Sequence, residues 1–167
     1  VLGFNPLQVI DEFDANEDSR RLIGSVQANW SPIERLTFNY VAGIDDGRQS
    51  VRGFTPPGAS SPTATGQVEQ TERSSRQFNN DLTVTYDYPL TDAVSLQSNA
   101  GFRWNYEESD VTVAAAEDLP PEQQLVGGAT QFANQFRTEQ RTLEAWIQET
   151  IAFNDRLYLT GGVNLDA

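Results

Sequence analysis

Any chemistry in this chain must come from carboxylates, hydroxyls and arginine. Cys, His and Met are absent, and every one of the 11 basic residues is Arg. That excludes disulfides, zinc sites built from Cys or His, Cys nucleophiles and a Ser-His-Asp triad. The densest acidic run is "DEFDANED", Asp11 to Asp18. A hard cation takes several such oxygens, but the run lacks the spacing and the Gly of an EF-hand loop and reads better as a solvated acidic loop. Asp45 and Asp46, followed by Gly47, read as a turn or a strand exit. The pairs Glu107/Glu108 and Glu117/Asp118 raise glycoside hydrolysis, which sets two carboxyl groups about 5 to 9.5 Å apart across the substrate. Adjacency in sequence supplies no such separation. No residue is therefore given a catalytic, cofactor-binding or metal-ligating role, no cofactor is expected, and the chain is expected not to be an enzyme. Ligand-binding residues are not identified by any motif. Phe54, Phe132 and Phe136 read as exposed aromatics in the long loops, where they could stack on sugars or pack the loops together.

The net charge is −13, from 24 acidic residues against 11 basic ones, which argues against nucleic acid as a partner because phosphate binding needs a positive footprint. There is no apolar run long enough for a transmembrane helix and no signal-peptide pattern. A mean hydropathy of −0.50 suits half-apolar strands with long polar loops and equally a soluble β-protein. The chain opens on Val1 and closes on "LTGGVNLDA" within what reads as a strand, so it is expected to be a piece of a longer protein.

Alternation at period two is the dominant signal, and it places successive residues on opposite faces of a strand. It recurs in six segments. The first puts Leu22, Gly24, Val26, Ala28 and Trp30 on one face. The second has Leu36, Phe38, Tyr40, Ala42 and Ile44. The third has Leu82, Val84, Tyr86 and Tyr88, with Phe78 extending the row, opposed by Asp81, Thr83, Thr85 and Asp87. In the fourth, Val94, Leu96, Ala100, Phe102, Trp104 and Tyr106 oppose the polar row Gln97, Asn99, Arg103 and Asn105. The fifth has Leu143, Ala145, Ile147, Ile151 and Phe153, and "LYLTGGVNLDA" is the sixth. Strands three and five continue outward as "EQTERSSRQ" and "RTEQR", charged on both faces.

The connections run short, long, short, long, short. "SPIER", "PLTD" and "NDR" are tight turns, whereas "GFTPPGASSPTATGQ" and "SDVTVAAAEDLPPEQQLVGGATQFANQ" are long loops rich in Pro, Gly and small residues. A short helix around Glu122 to Leu125 is compatible with the second. The expected fold is all-β: an antiparallel up-and-down meander of about six long strands. Such one-sided loop lengths characterise outer-membrane barrels, and the apolar rows persist for about the 9 to 11 residues that a tilted membrane strand needs. Trp30, Tyr86, Tyr88 and Phe153 then fall toward the short turns, and Trp104 and Tyr106 toward the other end, as interfacial girdles require. Glu149 lies on the apolar face of strand five. It is expected either near the interface, where a charge costs about 0 to 1 kcal/mol, or turned inward by a β-bulge that Trp146, on the polar face, hints at.

Two stretches go further. "NPLQVIDEFDANEDSRRLIGSVQANWSPIERLTFNYVAGID" and "RTLEAWIQETIAFNDRLYLTGGVNLDA" resemble barrel segments of SusC/RagA-like TonB-dependent outer-membrane transporters. In those, an Asn-Pro-Leu start, a polar stretch, Arg-hydrophobic-Gly and an aromatic before a short turn recur in that order, as does a strand ending in an aromatic before Leu-Tyr-Leu-Thr-Gly. The resemblance implies part of a large transmembrane barrel in the outer membrane of a Gram-negative bacterium, importing nutrients such as oligosaccharides or peptides. Its implied partners are outer-membrane lipid, the TonB complex, a SusD-like lipoprotein, and the rest of the barrel with its plug. On this reading 1–19 is an extracellular loop segment, 20–167 holds six strands with long loops near 46–70 and 109–136, and the plug domain is absent. Arg103 and its polar row would line the lumen, more as plug contacts than as substrate contacts. The alternative is a soluble or surface-exposed β-rich carbohydrate-binding module whose apolar rows form a core.

Overall fold

The structure is a computed structural model that describes residues 10, 12–59, 65–127 and 130–167. It is all-β: six antiparallel strands in one sheet, ordered β1-β2-β3-β4-β5-β6, so each strand pairs with its sequence neighbours. The strands are β1 (Asp14–Ile33), β2 (Leu36–Thr55), β3 (Gln67–Thr91), β4 (Val94–Glu117), β5 (Thr130–Phe153) and β6 (Leu157–Asp166).

These strands run further than alternation alone indicates. β1 begins at Asp14, so 14–19 is strand and not loop. β2 carries Asp45 and Asp46 inside it and continues to Thr55, and β4 extends to Glu117. The long connections shrink accordingly to 56–66 and 118–129.

The chain divides into two compact units. One comprises Leu22–Asp45, Arg76–Glu107 and Glu139–Ala167. It holds all three tight turns. At 91–94 the Thr91 hydroxyl accepts hydrogen bonds from the amides of Ala93 (3.2 Å) and Val94 (3.1 Å), a side-chain substitute for backbone turn bonds. At 153–157, Asn154 and Asp155 adopt φ of 50° and 54°, and the Arg156 amide closes the turn on the Phe153 carbonyl at 3.0 Å. Two successive left-handed residues match the twist of a hairpin, and Asn and Asp tolerate that region best after Gly. The β5–β6 ladder then runs in unbroken register from Phe153↔Leu157 to Glu144↔Asp166.

The other unit comprises Val1–Arg21, Asp46–Ser75 and Glu108–Thr138 and carries both long connections. A small core of Val68, Ala116 and Leu119, with Phe54 and Val126 against it, packs them. The Leu119 amide bonds to the Thr65 carbonyl at 3.0 Å, tying one connection to the other. "PPGA" closes with the Ala59 amide on the Pro56 carbonyl at 3.2 Å and Gly58 at φ 84°, the left-handed position of a type II turn. In 118–127 the expected short helix is absent. Pro-Pro favours a turn instead, in which the Gln123 amide meets the Pro120 carbonyl at 3.1 Å and Glu122 takes φ 68°.

Few described residues are buried: only Ala59, Val68, Ala116, Leu119 and Ala152 among the hydrophobic ones. The accessible surface is 11946 Å², against about 8,200 Å² for a folded monomer of this mass. Most of the residues in the apolar rows are therefore not buried within this chain.

Candidate functional site: an apolar band backed by a polar face

Within the unit of Leu22–Asp45, Arg76–Glu107 and Glu139–Ala167, alternation sorts the side chains into two contrasting faces. One is an apolar band spanning all six strands, carried by residues such as Leu22, Val26, Tyr40, Val84, Phe102, Ile147 and Val163. Its members are widely exposed, Val26 at 68% and Leu165 at 70%. β6 joins it in register, since Ile147 faces Val163 and Ile151 faces Leu159. The band is edged with aromatics. Toward the turns, Trp30 stacks on Phe38 (5.2 Å between centroids) and Tyr86 on Tyr88 (6.2 Å). At its other limit Tyr106 meets Trp104 at 6.4 Å and Phe78 at 6.2 Å, with the Arg141 guanidinium 5.6 Å from the Tyr106 ring.

Asn80 and Glu149, polar on this band, are each met by a hydroxyl. The Tyr40 hydroxyl donates to Asn80 Oδ1 at 2.9 Å, and the Ser98 hydroxyl donates to Glu149 Oε2 at 2.7 Å. Glu149 pairs regularly with Gly161, so no bulge turns it inward within the β5–β6 ladder. It stays on the apolar side and is accommodated by one hydrogen bond and by the open space over Gly161.

The opposite face of this unit is a polar network. Arg103 reaches Asp81 Oδ2 at 2.8 Å and Glu144 Oε2 at 3.2 Å, bridging β3, β4 and β5. Thr85 donates to Asn99 at 2.8 Å, Gln97 to Asp87 at 2.8 Å, and Thr150 and Thr160 share a bond of 3.0 Å. Trp146 belongs here because of Gly101, which sequence reasoning passed over. A Cβ built on Gly101 would lie 1.9 Å from Trp146 Cζ2, so the indole lies flat where β4 has no side chain, and Arg103 caps it at 5.6 Å. The readable signal was a lone Gly inside a strand pattern, which marks close approach.

The other sequence candidates separate. Glu107 and Glu108 both lie in β4 and as neighbours point to opposite faces; Glu108 is bound to Arg137 at 2.7 Å. Asp118 sits at a left-handed turn position and accepts from Thr130 at 3.2 Å. The acidic run, with Asp11 outside the described residues, is strand from Asp14 and distributes between faces, with Glu17 taken by Gln49 at 2.6 Å and Asp18 3.6 Å from Arg20. Phe54 packs in the small core. Phe132 and Phe136 stand exposed on β5, at 58% and 60%.

Long antiparallel strands in a simple meander, with one apolar and one polar face, define the class: a piece of β-barrel wall. Among solved structures the chain is similar to that of the RagAB peptide transporter, with a TM-score of 0.77 at 19% identity over 93% of this chain and 18% of that one. RagAB peptide importer structures in the "closed-closed" and "open-open" states give TM-scores of 0.76 and 0.74 at the same identity and coverage. The chain thus spans under a fifth of the length of the chains it matches, and the likeness establishes the fold. No family model and no curated protein matches the sequence.

Proposed function

We propose that this chain is a segment of the transmembrane wall of a SusC-like, TonB-dependent transporter in the outer membrane of a Gram-negative bacterium. On this reading the apolar band meets lipid, the polar face lines the lumen, and the long loops are extracellular. The whole protein imports nutrients such as peptides or oligosaccharides, driven by the TonB complex through a plug and assisted by a SusD-like lipoprotein. The observation that carries it is the exposed band itself. Its rows are about as long as a tilted membrane strand, aromatics rim it on both sides, and a polar network backs it. The similarity to the RagAB peptide transporter and the sequence resemblance support the choice of transporter class.

The test uses neighbouring residues of β3 in the full-length protein. Val84→Arg sets a charge near the middle of the band and should cost about 2 to 4 kcal/mol, read as loss of folded protein in outer-membrane fractions. Thr85→Arg places the same charge on the polar face and should assemble nearly as the parent does. Equal tolerance of both would refute the membrane reading.

A further inference from the structure

In a chain of net charge −13, the unit of Val1–Arg21, Asp46–Ser75 and Glu108–Thr138 holds one basin where arginine and hydroxyl groups gather. Its volume is about 520 Å³, and Arg21, Arg73, Ser19, Ser75, Ser109 and Gln49 line it. By alternation these side chains share one face of β1 to β4. Arg73 is exposed and makes no ion pair among the described residues. The one carboxylate in the basin, Glu17, is held by the Gln49 amide at 2.6 Å. Gly47 forms part of the floor: a Cβ there would come 2.9 Å from Ser75 Oγ and 3.9 Å from Arg21 Cγ.

From this geometry we infer a binding site for a carboxylate group of the transported cargo, with Arg73 as the principal donor and the serine hydroxyls completing the shell. Charge complementarity selects the ligand class. A planar guanidinium offers paired N–H donors that match a carboxylate, hydroxyls rotate to suit their partner, and a net charge of −13 disfavours an anion on the rest of the chain. The carboxylate could belong to a peptide C-terminus or to a uronic acid, and the inference rests on the transporter reading above.

The test uses the purified full-length protein in detergent. Probes are fluorescent tetra-alanine with a free C-terminus, the same peptide as its C-terminal amide, and digalacturonate as an unlabelled competitor. The free acid should bind more tightly than the amide. Arg73→Gln should weaken the free acid at least about fivefold, a modest return for a charge-assisted bond, and leave the amide unchanged. Gly47→Val, which removes no charge but fills the floor, should bring the free acid down to the amide level. Competition by digalacturonate extends the site to sugar acids; its failure confines the site to peptides. Equal binding of acid and amide, no binding of either, or an Arg73→Gln protein that binds as the parent does would overturn the proposal. Outer-membrane assembly of the Val84 and Thr85 variants is read separately, so the carboxylate site can fail while the barrel reading stands.

Discussion

Trp146 and Glu149 show how single side chains settle matters that pattern leaves open. Trp146 lies on a polar face because Gly101 vacates the space beside it, and Arg103 covers the ring. Gly101→Ala forces the indole out of that space. It should destabilise the full-length protein by about 1 to 3 kcal/mol, the usual cost of overpacking, read as a lowered unfolding temperature in detergent. Trp146→Ala combined with Gly101→Ala should cost less than the sum of the two single changes, since the clash is gone in the double variant. Glu149 follows the same logic of local satisfaction: Ser98 donates to it, so a polar side chain persists on an otherwise apolar row. Sequence spacing foretold the row of Glu149 but not Ser98, because partners lying across a ladder are far apart along the chain.

At the scale of elements, alternation located the strands well wherever one face is apolar and the other polar. It failed beyond those limits. β1 from Asp14, β2 past Asp45 and β4 through Ser109 to Glu117 are strands, yet in none of them does a long apolar row stand opposite a long polar one. A strand wetted on both sides has no reason to alternate; its pairing is held by backbone bonds and by contacts such as Glu108–Arg137 and Gln135–Asp110. The turns were more legible, since Asn154-Asp155 carries its conformational preference locally. Substituting both by Val puts β-branched residues at positive φ, where each is strained by about 1 to 2 kcal/mol. Unfolding measurements should show that loss, while Asn154→Gly with Asp155→Gly should be close to neutral.

For the whole chain, the exposed band governs behaviour in water. Leu22, Trp30, Ile147, Leu159 and Leu165 are each more than half exposed, and contiguous apolar surface of this kind drives association. The 167-residue chain in plain buffer should therefore aggregate, and detergent should disperse it; light scattering with and without detergent distinguishes the outcomes. A monodisperse, cooperatively unfolding monomer in buffer would contradict the proposal that the band meets lipid.

The sequence by itself determined the strand class, the meander order, the tight turns, the aromatic positions and the division of residues between an apolar and a polar row, because each is written in neighbours a few positions apart. Only the tertiary structure decided that the apolar rows stay exposed, that Glu149 keeps its place beside Ser98, that Trp146 rests on Gly101, and that Arg73 gathers with serines from other strands. Those outcomes depend on cross-strand neighbours and on whether a second layer covers the sheet, and period-two spacing carries information about neither.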